Sequence, residues 1–337
     1  MKRIVFASAI VFAVWIAIDS YGAELRFEKV SDHCYYLPLE ESGDNVAVIA
    51  TDDGVLMVNP PQEPGLSLAA SALKSITSKP VRWVVFTDPH YASAGNARFF
   101  AEQNSTLLAS SRLWALSNRI IVKTDPANQE SLNPLTIDGS RSAWADFPEL
   151  IFDHQMHLFP SNLEIRIWGV QAKARTGGDV VAFVPDEKVL FVGDLFETER
   201  FPDIDTAFDG SALGWIEGLK QVIQSVPLLK SAIPEEVPEG EEEEEGQEEE
   251  EKTLEEKVTV LSTRGKAANL QNMKDLLEIS QKLRNDIAKA IRTGRTRNSF
   301  LASSASKPYR SYGNLSAFAA RLFEELDARK LIPPAKP

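Results

Sequence analysis

Residues 87 to 96, Thr87-Asp88-Pro89-His90-Tyr91-Ala92-Ser93-Ala94-Gly95-Asn96, follow the apolar run Val81-Arg82-Trp83-Val84-Val85-Phe86 and place a carboxylate, an imidazole and a hydroxyl within six positions. Three kinds of chemistry are open to such a turn. His90 could act as general base toward Ser93, with Asp88 orienting the ring. Asp88 and His90 could instead each be a ligand to a metal ion. Alternatively, an arginine from elsewhere in the chain could neutralise the Asp88 carboxylate. A guanidinium stays protonated and has no lone pair for a metal, but it makes bidentate pairs that satisfy a buried carboxylate. No G-x-S-x-G elbow occurs in the chain, so nothing else supports a serine nucleophile.

These residues need strands that end at one place, and the chain supplies them in two similar halves. In the first half, Cys34 to Leu37, Val46 to Ala50 and Val55 to Val58 read as strands, with Asp52-Asp53-Gly54 as a hairpin turn. Leu66 to Ser75 reads as a helix, Val81 to Phe86 as a buried strand, and Ala94 to Gln103 as a second helix. The second half repeats the pattern with strands at Leu163 to Ile167, Val180 to Val184 and Val189 to Val192, turning at Pro185-Asp186-Glu187. Helices follow at Ser211 to Gln224 and Leu270 to Ile291; in the latter, Leu276, Leu283, Ile287 and Ile291 fall on one face. Strands grouped with helices in both halves predict two packed sheets with helices outside. Trp83, Trp144, Trp168 and Trp215 are candidates for pocket or interface walls as well as for core. His154 and His157 sit in a β-like stretch before Pro160, where a spacing of three puts them on opposite faces, which makes them ordinary histidines rather than a chelate.

Composition narrows the classes of partner. The chain has 337 residues, 43% of them hydrophobic, enough for a full core. Its formal net charge is −13, yet the segment from Glu235 to Glu256 holds fourteen glutamates and one lysine and so accounts for all of it. The rest is neutral and offers no basic field to nucleic acid. The Pro234 to Lys257 segment is too polar to offset its ordering entropy and is expected to be a disordered acidic insertion. Lys2 and Arg3 precede an apolar run from Ile4 to Ile18 and then Ser20-Tyr21-Gly22-Ala23, the pattern of a secretory signal. The expectation is therefore a periplasmic or secreted protein with no membrane span after cleavage; an uncleaved signal would anchor it in the inner membrane. Cys34 is the single cysteine, which rules out an internal disulfide.

The Thr87-to-Asn96 stretch resembles the T-H-x-H-x-D-H-x-G-G motif of the metallo-β-lactamase fold superfamily. Gly43 to Pro60 resembles that family's first hairpin, Gly178-Asp179-Val180-Val181 with Val192-Gly193-Asp194 its second metal-bearing stretch, and Val258 to Gly265 its last. These stretches cover residues 27 to 295 in the family's order, and the C-terminal remainder is most similar to periplasmic members such as quinoprotein relay system metallohydrolases. The resemblance implies an α+β fold, the four-layer αββα sandwich, and a dinuclear metal site. Carried over residue by residue, Asp88 stands at the first motif histidine, His90 keeps the second, Ala92 replaces the aspartate and Ser93 the third histidine. Arg175 stands where the family has the histidine of His-Thr-x-Gly-Asp, Asp194 keeps the bridging carboxylate, and Arg264 replaces the last histidine. The chain has four histidines, His33, His90, His154 and His157, fewer than the five the family's dinuclear site uses.

The expectation is therefore a signal peptide over 1–23, a metallo-β-lactamase-like domain over 24–295 that includes the acidic insertion 234–257, and a helical extension over 296–337. Its function is expected to be non-catalytic binding or an accessory role, with no cofactor and with Arg175 and Arg264 paired with Asp88 and Asp194 in place of zinc. The ligand would be an anionic small molecule or a periplasmic protein. A hydrolase using one Fe, Mn or Zn ion at Asp88, His90 and Asp194, or a metal-free His90/Ser93 site, is the alternative.

Overall fold

Val180-Val181-Ala182-Phe183-Val184 is buried at every position, and the alternation of its side chains explains why. Val180, Ala182 and Val184 enter one hydrophobic cluster, while Val181 and Phe183 enter another. A strand covered on both faces reads as a continuous apolar run. Its sheet therefore lies between a second sheet and a layer of helices.

The computed structural model describes residues 25–39, 44–61, 63–90, 96–120, 149–229 and 257–330. The first sheet has seven strands in sequence order: β1 (Glu28–Lys29), β2 (Cys34–Leu39), β3 (Asp44–Thr51), β4 (Gly54–Val58), β5 (Val81–Val85), β6 (Thr106–Ser110) and β7 (Leu150–Phe152). It is antiparallel from β1 to β4 and parallel from β4 to β7. Helices α1 (Gly65–Leu73), α2 (Asn96–Glu102) and α3 (Ser111–Ile120) make its crossovers.

The second sheet contains β8 (Gln155–Leu158), β9 (Ile165–Gly169), β10 (Val180–Val184), β11 (Val189–Gly193), β12 (Thr259–Ser262) and β13 (Ala268–Asn269), in the order β13-β12-β11-β10-β9-β8. Ile165, Ile167, Phe191 and Leu261 join the core of the first sheet. Leu190, Val192 and Val260 face α4 (Ala212–Ser225) and α5 (Leu270–Arg292). The four layers match the expected αββα sandwich.

The helical extension after α5 holds α6 (Arg297–Ala302) and α7 (Leu315–Lys330). Phe318 of α7 stacks on Phe201 at 5.0 Å between ring centroids and meets Trp215 edge-on at 5.3 Å. Glu325 of α7 accepts from Ser211 Oγ (2.7 Å) and from the backbone N–H of Ala212 (2.6 Å) and Leu213 (3.0 Å), which places a carboxylate at the positive end of α4.

Several sequence expectations shift. The strand expected at Leu163 to Ile167 runs over Ile165–Gly169, because Glu164 is fully buried against Arg166 (2.6 Å) and His157 (3.0 Å) before pairing begins. His157 Nδ1 thereby contacts the Glu164 carboxylate, and the backbone carbonyl of His154 accepts from Gly169 N–H. Of the tryptophans, Trp215 is wholly buried and donates to Leu195 O at 2.7 Å, Trp83 lies under the Arg82 guanidinium, and Trp168 packs on the helical side of the second sheet. Trp144, the signal segment and nearly all of the acidic insertion lie outside the described residues. Among the described residues, no helix is long and apolar enough to cross a membrane.

Candidate functional site

The ends of β4, β5, β11 and β12 meet at one edge of the sandwich, and a net of short polar links ties them together. Asn59, just past β4, accepts from Thr87 N–H (3.3 Å) and donates to Thr263 Oγ1 (3.1 Å). Thr263 donates its N–H to Gly193 O (3.0 Å), and its carbonyl accepts from Asn45 N–H (2.6 Å). Val180 N–H donates to Thr87 O (2.8 Å), crossing from one sheet to the other. The two sheets approach so closely here that only glycine fits at position 193. Its φ is +56°, and a Cβ there would lie 2.2 Å from Thr87 Oγ1.

The opposite end is closed by another polar staple. Glu187, in the β10–β11 turn, accepts from Ser31 Oγ, from His33 N–H and from the His33 ring.

Arg175 occupies the centre of the site edge. It sits on the Val170-to-Asp179 connection between β9 and β10, whose backbone is pinned by Gly177 N–H to Phe208 O (2.7 Å) and Ser211 N–H to Ala174 O (3.0 Å). Its own carbonyl accepts from Asp205 N–H at 3.0 Å. The side chain is nearly buried. Nη1 lies 3.2 Å from Asp88 Oδ2 and Nη2 lies 3.1 Å from Asp194 Oδ2, so one guanidinium spans both carboxylates. Asp88 Oδ1 also accepts from His90 N–H at 2.7 Å. Burial pushes the Asp88 carboxyl above its usual pKa, the Arg175 charge opposes that rise, and the nearby Asp194 adds to it.

The expectation of two arginines for two carboxylates needs correction, because Arg264 does not pair with Asp194. The turn after β12, with Gly265 at φ +80° and Ser262 Oγ donating to Arg264 O at 2.6 Å, sends that side chain outward. Its Nε lies 3.6 Å from Asp44 Oδ1, and its side chain is half exposed. The His90 ring meets a third carboxylate. Its Nε2 lies 2.8 Å from Asp205 Oδ2 and its ring rests on Phe208, 4.8 Å between centroids. Ala92 and Ser93 lie outside the described residues, so the His90/Ser93 pairing has no geometry.

Asp205, which the sequence reading missed, and Asp179 complete the surroundings. Asp205 caps the short turn Thr206–Phe208 by accepting from Ala207 N–H (2.8 Å) and Phe208 N–H (3.3 Å). An Asp before Thr-Ala-Phe is a capping signal that could have been read. Asp179 is buried and accepts from Thr176 N–H (2.9 Å) and Thr176 Oγ1 (2.7 Å), which closes the Arg175 loop on itself. Burial nevertheless raises its carboxyl from 3.8 to about 7. A carboxyl raised on folding contributes stability that is fully present below its unfolded pKa and is lost as pH rises through the folded one. Asp179→Asn is expected to flatten the fall in melting temperature between about pH 4 and pH 7. An unchanged slope would show that other groups set it.

The donor set does not fit a divalent ion of the kind the family resemblance implies. Zinc takes three or four neutral or anionic ligands, but here a permanently charged guanidinium stands between the two carboxylates and the one nearby imidazole faces a third. Among the described residues, no three His, Cys, Asp or Glu side chains converge as a metal would require. That includes Asp88, His90 and Asp194. The pocket beside Arg175 and Asp194 leaves only about 20 Å³ open to water, room for about one molecule.

No protein-family model matches the chain, and no curated protein matches it by sequence. Solved structures match in three dimensions. The inverting sec-alkylsulfatase Pisa1 from Pseudomonas sp. superposes with a TM-score of 0.61 at 12% identity, over 93% of this chain and 52% of the sulfatase, so the chain spans about half the length of that protein. A metallo-β-lactamase from Pontibacter korlensis gives 0.52 at 14% identity, over 76% of this chain and 99% of that one. The metallo-β-lactamase FIM-1 from Pseudomonas aeruginosa, in a mono-zinc form, gives 0.52 at 15% identity, over 77% and 96%. At these identities the likeness is one of architecture. With its two mixed sheets and outer helices, this chain has the metallo-β-lactamase fold.

Proposed function

We propose that this protein is a non-catalytic member of its fold, an exported binding or accessory protein in which a fixed guanidinium replaces the metal centre. The carrying observation is the simultaneous contact of Arg175 with Asp88 and Asp194, at 3.2 and 3.1 Å. Metal-assisted hydrolysis uses bound water whose pKa falls from about 15.7 to about 7 near zinc. A guanidinium already engaged by two carboxylates has no open coordination position and cannot generate that hydroxide. Export rests on the signal-like pattern of residues 1–23.

The test is elemental mass spectrometry on protein purified without chelator or added metal, combined with assays on a β-lactam and a secondary alkyl sulfate, the substrates named in the structural neighbours. Substoichiometric zinc, iron and manganese, no turnover, and no rise in melting temperature on adding these metals are expected. About one bound equivalent that disappears in His90→Ala or Asp88→Ala would replace this reading with a mononuclear hydrolase.

A further inference from the structure

The small pocket beside Arg175 holds more polar groups than the Arg175 bridge uses. Six charged side chains line it: Arg175, Asp194, Glu197, Arg200, Asp203 and Arg264. Asp194 spends Oδ2 on Arg175, while its buried Oδ1 has no hydrogen-bond partner among the described residues. A buried acceptor without a donor is costly, so the pocket floor calls for an N–H or O–H group. Glu197 stands nearby; burial raises its carboxyl above the usual range, Arg200 and Arg264 oppose that rise, and the Asp194 charge adds to it. The Asp194 oxygen would gain from a cationic donor small enough to fit a water-sized space, and Glu197 could share it with Arg200.

The rim has the opposite character. Arg200 and Arg264 have side chains 43% and 47% exposed, held in long ion pairs with Glu197 (3.3 Å) and Asp44 (3.6 Å). Exposed pairs of this kind are weak and exchange readily for a better partner. A bare cation would have to sit beside these guanidinia, and a bare anion would meet Asp194 and Glu197 at the floor. Neither satisfies both levels.

The wall carrying Glu197 and Arg200 is also pre-set by the helical extension. Gly313 N–H donates to Glu199 O (2.9 Å), Phe201 N–H donates to Gly313 O (3.0 Å), and Asn314 Nδ2 donates to Pro202 O (3.0 Å). A wall fixed beforehand lowers the ordering cost of binding.

We propose that this pocket binds a small zwitterion carrying a primary ammonium next to a carboxylate, an α-amino acid in its simplest form. The ammonium enters to Asp194 Oδ1 and Glu197, and the carboxylate stays at the rim on Arg200 and Arg264. This rests on the reading that Arg175, not a metal, fills the neighbouring space.

The experiment is calorimetric titration of the full chain with glycine in the presence of a chelator, with methylamine and acetate as probes of each half. Saturable glycine binding with a Kd of about 1 mM, at least about tenfold weaker for methylamine and acetate, is expected. Glu197→Gln and Arg264→Gln remove partly exposed groups, so their melting temperatures should stay near wild type while glycine binding weakens at least about tenfold. The proposal is overturned if glycine gives no saturable signal up to about 50 mM. It is also overturned if methylamine binds equally well, or if both variants bind glycine as the wild type does. A parallel zinc titration without chelator separates the two failures. Silence toward both removes the zwitterion and leaves the fixed guanidinium standing, whereas a stoichiometric zinc response removes both.

Discussion

Arg175→Gln is expected to cost the folded protein about 3 to 5 kcal/mol at neutral pH, the loss seen when one member of a buried ion pair is removed. Two carboxylates depend on this one guanidinium, Asp88 at 3.2 Å and Asp194 at 3.1 Å, and both side chains are almost wholly buried. Burial already raises the Asp88 carboxyl against the opposing Arg175 charge, and without that charge it would rise further. The sign of the pH effect follows: the stability is present below the unfolded pKa of about 3.9 and is lost as pH rises through the raised folded value. The deficit against wild type should therefore be small near pH 5 and largest above neutrality, as read from denaturant midpoints at both pH values. An equal deficit at the two would mean that packing, not charge, accounts for it. Arg175→Lys should recover only part of the loss, because a single ammonium cannot address two carboxylates with the geometry of a fork.

Gly193→Ala should be the other large effect, about 2 to 4 kcal/mol, through two separate causes. Residue 193 holds φ at +56°, a left-handed conformation that costs a non-glycine residue about 1 kcal/mol or more. The added Cβ would also fall 2.2 Å from Thr87 Oγ1 and 2.6 Å from Thr87 Cβ, and Thr87 is held by its links to Asn59 and Val180. The urea midpoint should drop with little change in slope. Combining it with Thr87→Ala removes the nearer clash and leaves the farther, so the double variant should be less damaged than the sum of the singles. Simple additivity would place the cost in the backbone alone.

Much of the sandwich was legible because strands buried on both faces are plain apolar runs. Val55 to Val58, Val180 to Val184 and Val189 to Val192 were located to within a residue. The β6–α3 pair was missed, since Leu107-Leu108-Ala109 is a three-residue run between Thr106 and Ser110 with little contrast to its surroundings. Glu164 marks another limit. A wholly buried glutamate breaks an apolar pattern, and only the fold shows that Arg166 and His157 accompany it. At the site, the residue types at 88, 90, 175 and 194 were readable, but their partners were not. Arg175 takes both carboxylates because the β9–β10 connection is clamped against residues 205 to 211, and Arg264 turns outward because of a turn at Gly265. Both depend on where backbones cross, which no local pattern records.

The single guanidinium between Asp88 and Asp194 also changes what governs occupancy. A bound ion is present in proportion to its free concentration and can be scavenged, exchanged or replaced by the wrong element, so a metal-holding pocket reports on its surroundings. A cation that is part of the chain is synthesised with it in fixed ratio and cannot dissociate. The architecture of this edge should therefore be indifferent to metal supply, chelation and dilution.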